Sequence, residues 1–320
     1  MKKFLIIQTA FLGDVVLATP MAETLRKNIP DCEVHFLVKK GNESLLNNHP
    51  SIQKVFVFDK KKGKSKELLR LRPLLKKERY DVTYNLHRFG SSGLLTYFSG
   101  AKKTVGFKKH PFSFLFNEKI EHEIGNGLHE VDRNLKQIES LELKSLVRRP
   151  VLKFSESDAN HVAQYKDDPY YCLAPASVWF TKQMPKEKWV ELIKILLPKG
   201  KVFLLGGPDD ADLCQRIAQP FEDVVSLAGK LSLLQSMALM ESAERNYVND
   251  SGPLHLASSV NAKVTAFFCS TTPDFGFGPL SEDSSVVQST ENLACKPCGL
   301  HGHKSCPEGH FKCGFGISVQ

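Results

Sequence analysis

Residues 4–38, FLIIQTAFLGDVVLATPMAETLRKNIPDCEVHFLV, have the pattern of one strand, one helix and a second strand. The apolar run Phe4–Thr9 predicts a buried strand, Asp14–Lys27 predicts an amphipathic helix, and Glu33–Val38 predicts a second buried strand. Two apolar strands that are joined by a helix indicate a parallel sheet with helices on both faces. This stretch therefore predicts an α/β fold.

The same alternation fills most of the remaining chain. The other elements predicted in the first half are strands Lys54–Phe58 and Val82–Leu86 and helices Glu67–Lys77 and His129–Leu141. Those predicted in the second half are strands Tyr170–Ala174, Lys201–Leu205, Val224–Leu227, Asn246–Asn249 and Val264–Phe268 and helices Lys186–Leu197, Asp209–Ala218, Ser232–Met240 and Pro253–Ser259. A polar stretch at 148–168 separates the halves. We therefore predict two doubly wound, Rossmann-like domains, 1–155 and 156–320, that face a central cleft at the carboxyl ends of their sheets.

The composition limits the classes of partner and compartment. The chain has 320 residues, of which 42% are hydrophobic, and a net charge of +8. An excess of basic residues favours anionic partners, which could be nucleic acid, membrane lipid or a phosphorylated small molecule. The first residues lack a secretory signal pattern, and no run approaches the roughly 20 apolar residues of a membrane-spanning helix, so we expect a cytoplasmic protein.

The first candidate site is NDSGPLHLASS at 249–259, where a predicted strand leads into a helix. Asp250 and Ser251 stand where an N-cap belongs, Gly252 allows a ligand to approach the backbone, and the next residue, a proline, suits the first helical position. Such a helix N-terminus favours a phosphate or diphosphate, and His255 lies one turn further in as a possible donor. An ordinary capped helix with a buried histidine explains the same residues equally well.

A second loop follows the predicted strand Tyr170–Ala174 in the same domain. Ser177 and Thr181 offer hydroxyl groups there, and Lys182 offers a positive charge. A lysine in a loop is more often a solvated surface charge. Two loops that suit phosphate at strand ends of one sheet are nevertheless stronger evidence for a phosphate site than either loop alone.

The loop after the first predicted strand contains a third candidate. The strand ends at Thr9, Gly13 permits a tight turn, and Asp14 begins the helix. Asp14 is therefore either the N-cap or a general base that faces the cleft. The turn lacks the G-x-G-x-x-G spacing, and no G-x-x-x-x-G-K-[ST] occurs, which disfavours a nicotinamide dehydrogenase or a P-loop nucleotidase.

Four of the eight cysteines cluster near the C-terminus, at Cys295, Cys298, Cys306 and Cys313, with three histidines among them. Four thiolates at these spacings, or three with a histidine, could hold a tetrahedral zinc ion. Reduced cysteines that pack in a loop, or disulfides formed on oxidation, are the alternatives. The other four cysteines are scattered through apolar or helical segments and are expected to be buried and reduced.

Three motifs together suggest a family. They are FLGDVVLATPMAETLRKNIPDCEVHFLV at 11–38, DSGPLHLASSVNAKVTAFF at 250–268 with Gly278-Pro279 after it, and the C-x-P-C motif at 295–298. In this order they resemble the bacterial ADP-heptose:lipopolysaccharide heptosyltransferases. The resemblance implies a GT-B fold, with the acceptor bound mainly by the N-terminal domain and the nucleotide sugar mainly by the C-terminal one. It also implies an inverting, metal-independent transfer from ADP-heptose to the lipid A–Kdo inner core.

The resemblance also implies roles for particular residues. Asp14 would be the catalytic base, with Thr9 and Gly13 beside it in the acceptor-side loop. The implied donor-binding residues are Ser177, Thr181, Lys182, Asp250, Ser251, Gly252 and His255. No cofactor is required, because the ADP-sugar is a substrate, and a structural zinc at the cysteine cluster is not a recognised requirement of the family.

The acceptor would be an anionic glycolipid at the inner face of the cytoplasmic membrane. The basic runs 60–64 and 102–109 and the aromatic run 112–116 could contact it and the bilayer surface, or be ordinary solvated loops. The irregular segment 105–124 predicts a sheet edge, a substrate flap or a hydrophobic surface hairpin. The alternative functions are a GT-B enzyme for another nucleotide sugar and a basic nucleic-acid-binding or interaction protein, which the dispersal of basic residues over both domains disfavours.

Overall fold

The chain divides into two units, Met1–Lys153 and Phe154–Gln320, and each contains one sheet. The structure, a computed structural model, describes residues 1–319, so Gln320 at the end of the predicted second domain lies outside it. The division falls inside the polar stretch 148–168. The acceptor-binding and donor-binding roles of the two domains stay predictions.

The first unit contains six strands, β1 Lys3–Gln8, β2 Glu33–Lys39, β3 Lys54–Phe58, β4 Val82–Asn85, β5 Lys103–Phe107 and β6 Glu118–Ile120. Its helices are α1 Leu12–Val16, α2 Thr19–Asn28, α3 Lys64–Glu78, α4 Gly90–Phe98 and α5 Glu130–Leu135. The strands are parallel in the order β3-β2-β1-β4-β5-β6. The chain thus starts at the centre of the sheet, builds one half, and crosses back to build the other.

The second unit repeats this plan with strands β7 Tyr170–Ala174, β8 Lys201–Leu204, β9 Val224–Ser226, β10 Arg245–Asn249, β11 Val264–Phe267 and β12 Ser284–Val287. Its helices are α6 Glu156–Val162, α7 Lys186–Leu196, α8 Ala211–Ala218, α9 Leu233–Glu241, α10 Gly252–Ser259 and α11 Lys312–Phe315. The parallel strands have the order β12-β11-β10-β7-β8-β9. Both sheets have the strand order of doubly wound nucleotide-binding folds, so the predicted α/β class is confirmed.

Apolar strands that are buried on both faces hold each sheet together. Leu5, Ile6 and Ile7 of β1 are completely buried, which is why an uninterrupted apolar run predicted this strand. In the second unit, Trp189 of α7 packs edge to face on Phe267 of β11, with ring centroids 5.4 Å apart. Residues from the end of the chain pack into the same core.

The prediction of a single helix over Asp14–Lys27 is wrong, because α1 and α2 are separate helices. Pro20 lies in the first turn of α2 and has no N–H to donate to the carbonyl four residues earlier. That carbonyl belongs to Val16, and the Thr19 hydroxyl donates to it instead, at 2.9 Å. The proline therefore ends α1, and the threonine satisfies the carbonyl that is left over.

The irregular segment 105–124 forms the edge of the first sheet. β5 and β6 pair in parallel there, whereas a hairpin would pair its strands antiparallel. The Phe116 ring covers Gly106 of β5 so closely that a Cβ at that glycine would lie 2.4 Å from a ring carbon.

No helix in residues 1–319 is both long enough and apolar enough to cross a bilayer.

Candidate functional site

The loops after β7 and β10 carry the predicted donor-binding residues of the second unit. These two strands are parallel neighbours, so their carboxyl-terminal loops lie side by side. The structure brings Lys182 of the first loop and Asp250 of the second into an ion pair, with Nζ 2.6 Å from Oδ2. The two side chains are only 16% and 7% exposed, so the pair is largely shielded from solvent.

The surroundings of Asp250 indicate that its carboxylate orients Lys182. Thr271, which follows β11, donates its hydroxyl to the same Oδ2 atom at 2.6 Å. A carboxylate on its own would repel a diphosphate, whereas one that binds an ammonium group fixes the position of that cation. Asp250 therefore holds Lys182 in place, and the contact of Lys182 with a donor diphosphate stays a prediction.

Helix α10 begins directly after this aspartate. Ser251 is its N-cap but makes no side-chain capping bond, and its hydroxyl donates to the Asn249 carbonyl at 3.4 Å. Gly252 is the first helical residue, so the proline stands at the second position and not at the predicted first. The leading N–H groups of a helix have no partner within the helix, and together with the dipole they favour an anion. His255 is 5% exposed, and its contact with a phosphate stays a prediction.

Ser177 and Thr181 share the first loop but differ in accessibility. Thr181 is 1% exposed, and its hydroxyl oxygen accepts hydrogen bonds from Ser270 Oγ at 3.0 Å and from the His303 N–H at 2.8 Å. Thr181 therefore links the loop after β7 to Ser270 and His303. Ser177 is partly exposed, and its carbonyl accepts a hydrogen bond from the Gln183 side chain at 2.7 Å. The contacts of both hydroxyls with a donor stay predictions.

Sequence reasoning missed Asn249, the last residue of β10. Its buried side chain accepts a hydrogen bond from the Met184 N–H at 3.0 Å and donates one to the Pro175 carbonyl at 2.8 Å. The two bonds clamp both ends of the loop that carries Lys182 onto β10. The available signal was an asparagine at the end of an apolar strand, which must find polar partners when it is buried.

We expect Asn249→Ala to lower the free energy of unfolding by about 2–4 kcal/mol, because it removes two buried hydrogen bonds and leaves their backbone partners unsatisfied. Urea unfolding measures this loss. Asn246→Ala is a matched control, because its amide also donates to two carbonyls, those of Met240 and Lys263, both at 2.9 Å. Only Asn249→Ala should speed amide hydrogen exchange at Met184. Equal exchange in both variants would contradict the clamp.

In the first unit, Asp14 lies at the third position of α1. The predicted N-cap role is wrong, because Phe11 is the N-cap and donates its N–H to Asp14 Oδ2 at 3.1 Å. The tight turn predicted at Gly13 is also wrong, because this residue lies inside α1 without a positive φ. Burial and the charge of Glu130 raise the pKa of Asp14 to about 6, although backbone hydrogen bonds and the charge of Lys39 oppose the shift. A carboxyl group with such a pKa suits a general base.

The charge of Glu130 belongs to a buried network that the sequence does not reveal. This residue of α5 is paired with Arg133 Nε at 2.7 Å and with His122 Nε2 at 3.3 Å. Burial alone would raise the pKa of Glu130, but the hydrogen bonds and charges of His122 and Arg133 outweigh it and keep the pKa below its ordinary value. Glu130 therefore stays ionised and acts on Asp14 as a fixed negative charge.

Two lysines lie at the carboxyl ends of neighbouring strands, and the charge of one of them, Lys39, acts on Asp14. Lys39 is the last residue of β2, and Lys60 follows β3. Burial lowers the pKa of both lysines, and the charges of Lys39 and Lys64 lower the pKa of Lys60 further. A bound anion would favour the charged form of both lysines. These residues therefore form a candidate anion-binding surface beside the candidate base.

Thr9 and His87 form a hydrogen-bonded pair at the ends of β1 and β4. Thr9 Oγ1 lies 2.7 Å from His87 Nδ1, and both residues are buried. Burial, followed by the charge of Lys60, lowers the pKa of His87 to about 3, so the imidazole is neutral. Thr9 thus holds His87 in place, and the part of Thr9 in acceptor binding stays a prediction.

The basic and aromatic runs that were predicted to meet a membrane are partly engaged within the first unit. Three lysines of the run 102–109 are ion-paired, Lys102 with Asp81, Lys103 with Glu118 and Lys108 with Glu121. In the aromatic run 112–116, Phe114 is 69% exposed, whereas Phe116 is buried. The membrane contact stays a prediction.

The four C-terminal cysteines are free thiols, and they lie close enough for their charges to interact. Burial raises the pKa of Cys313 to about 11, and the charges of Cys306, Cys295 and Cys298 contribute to the rise. In residues 1–319, no group of three or more histidine, cysteine, aspartate or glutamate side chains is placed to hold a metal ion. The zinc hypothesis therefore stays a prediction without geometric support.

Comparison with known proteins identifies relatives that match most of the chain. The sequence model for glycosyltransferase family 9 (heptosyltransferase) matches residues 68–310. Lipopolysaccharide heptosyltransferase 3 of Escherichia coli is 26% identical over 277 residues, with 82% of each chain covered. The structure of E. coli ADP-heptose lipopolysaccharide heptosyltransferase II has a TM-score of 0.77 at 22% identity, over 93% of this chain and 96% of that one. E. coli heptosyltransferase WaaC with ADP has a TM-score of 0.75 at 21% identity, over 89% and 92%. These likenesses confirm the predicted GT-B fold.

Proposed function

The chain belongs to glycosyltransferase family 9, and from this membership we propose that it transfers heptose from ADP-heptose to the lipid A–Kdo inner core of lipopolysaccharide. The observation that carries the proposal is the partly buried Asp14 carboxyl group, whose pKa is raised to about 6 and which lies close enough to Lys39 for their charges to interact. Such a group suits the deprotonation of a sugar hydroxyl that belongs to an anionic acceptor.

Asp14 is the proposed general base. Above a pH of about 6 its carboxylate is ionised and accepts the proton of the acceptor hydroxyl while that oxygen attacks the anomeric carbon of the donor. The bond from the anomeric carbon to the ADP oxygen breaks as the new bond forms, and ADP leaves with the electron pair. Attack from the face opposite the leaving group inverts the anomeric configuration.

Lys39 and Lys60 are the proposed contacts for the acceptor. A lipid A–Kdo acceptor carries carboxylate and phosphate groups, and an anion would favour the charged forms of these two partly desolvated lysines. We further propose that the protein, as a peripheral cytoplasmic enzyme, meets this glycolipid at the inner face of the cytoplasmic membrane. There the basic run 60–64 would face anionic lipid.

The donor half of the reaction is assigned to the second unit. Lys182, held by Asp250 at 2.6 Å, would bind the diphosphate together with the N–H groups of Ser251 and Gly252. Negative charge grows on the diphosphate as the sugar leaves, and a fixed cation with oriented N–H dipoles stabilises that charge. We therefore propose that the transfer requires no metal. The ADP bound to the structural neighbour WaaC supports ADP as the nucleotide.

The pH dependence of transfer from ADP-heptose to a deacylated lipid A–Kdo acceptor tests this proposal. Because only the ionised form of Asp14 accepts a proton, kcat/KM should rise with pH and level off above a pH of about 6. The rate at pH 5 should be about a tenth of the rate at pH 7. No transfer to this acceptor at any pH would contradict the activity. Equal rates at pH 5 and pH 7 would contradict the base assignment alone.

A further inference from the structure

The cysteine-rich segment lies directly against the loop that carries Lys182. The Thr181 N–H donates to the His303 carbonyl at 3.1 Å, and the His303 N–H donates to the Thr181 hydroxyl oxygen at 2.8 Å. These bonds form a reciprocal pair between residues that are 122 positions apart. Because Thr181 is 1% exposed, its side of the pair is protected from water.

A second connection to the same loop passes through Ser270. Its N–H donates to the Thr181 carbonyl at 3.2 Å, and its hydroxyl donates to the Thr181 hydroxyl oxygen at 3.0 Å. Its own carbonyl accepts a hydrogen bond from the Cys298 N–H at 2.8 Å. Residues 298–303 are therefore hydrogen-bonded at both ends to the structure around Thr181, the residue that precedes Lys182.

Gly302 is the point at which this segment contacts Lys182. Its φ is +77°, and a Cβ at this position would lie 3.0 Å from both Lys182 Cγ and Thr181 Oγ1 and 3.2 Å from Trp179 Cβ. Ordinary contacts between carbon atoms are about 3.5–4.0 Å. Gly302 therefore lets the segment pack closely on the aliphatic stem of Lys182, and a methyl group here would push on that stem. The far end of the stem is the ammonium group that is paired with Asp250.

We infer that residues 298–303 position Lys182, so that the cysteine-rich segment is a structural part of the nucleotide-sugar site. The inference rests on the proposed role of Lys182 at the diphosphate. A lysine side chain has many rotamers, and a cation that is held in one of them binds an anion with a smaller loss of entropy. Asp250 restrains the ammonium end, and Gly302 restrains the stem. Gly302 is thus a positioning residue.

Gly302→Ala and Gly309→Ala form a matched pair for the test. Both glycines have a left-handed φ, +77° and +72°, so both variants carry a similar backbone strain, but a Cβ at Gly309 meets no atom within 4 Å. We expect calorimetry to show that Gly302→Ala raises the Kd for ADP about three- to tenfold, while Gly309→Ala changes it by less than about twofold. We expect both melting temperatures to fall, and that of Gly302→Ala to fall at least as far as that of Gly309→Ala, because its Cβ also meets side-chain atoms.

A double-mutant cycle with Lys182→Ala separates positioning from general destabilisation. In the Lys182→Ala background, Gly302→Ala should cause no further loss of ADP affinity, because the side chain that it displaces is absent. The inference would be overturned if Gly302→Ala lowered ADP affinity equally in the wild-type and Lys182→Ala backgrounds. It would also be overturned if Gly302→Ala and Gly309→Ala changed the Kd for ADP equally. If Lys182→Ala itself left the Kd unchanged, the proposed donor role of Lys182 would fail, and the positioning role with it.

Discussion

Asp14→Ala abolishes heptose transfer and leaves ADP binding nearly intact, if Asp14 is the base. Loss of a general base lowers turnover by about 10²- to 10⁴-fold. ADP affinity should change little, because Asp14 lies in the first unit and the proposed diphosphate contacts lie in the second. A radiolabelled transfer assay measures turnover, and calorimetry with ADP measures binding in the same preparation.

Asp14→Asn is the matched variant for this experiment. The amide keeps the size of the side chain and can still accept the hydrogen bond that the Phe11 N–H donates at 3.1 Å, so α1 should stay intact. It cannot take up a proton from the acceptor hydroxyl at neutral pH. Turnover in Asp14→Asn above roughly a tenth of the wild-type value would contradict the base assignment, because a true base contributes at least about 10²-fold.

Lys182→Ala should raise the Kd for ADP by about tenfold or more, because a hydrogen bond to a charged group contributes roughly 1.5–3 kcal/mol. Calorimetry with ADP, UDP and GDP measures both the loss of ADP affinity and the preference for the nucleobase. We expect the wild-type protein to prefer ADP. Asp250 is left without its partner in this variant, so part of the measured loss will reflect an uncompensated carboxylate near the diphosphate.

Lys188→Ala serves as the control for Lys182→Ala. This lysine lies on α7 in the same unit, and its Nζ is 3.1 Å from Glu191 Oε2. Its removal changes the net charge equally but should leave the Kd for ADP unchanged. If the two variants lost ADP affinity equally, the loss would reflect net charge alone and would contradict the assignment of Lys182 to the diphosphate. If the wild-type protein preferred UDP or GDP, the GT-B fold would still stand, but the proposed sugar donor would have to change.

Much of the fold could be predicted from the sequence because its strands are buried on both faces. Such strands appear as continuous apolar runs, and Tyr170–Ala174 has the predicted bounds. Lys54–Phe58 also has the predicted bounds, although this edge strand is partly exposed. Elements with a weak local signal were missed. The helix α4 begins with glycine and serine, and β12 is a short edge strand that begins with two serines. Their structure depends on packing against neighbours, which local periodicity does not record.

Strand ends and helix starts are local features, so the polar residues of the candidate loops could be found from the sequence. What those residues contact depends on packing between distant segments. The tertiary structure buried Thr181 and joined it to His303, 122 positions away, and it paired Lys182 with Asp250. It also placed the charge of Glu130 near Asp14. Ion pairs and pKa values depend on distance and burial, and in a doubly wound fold these follow from strand order and long crossovers, which no local pattern of residues specifies.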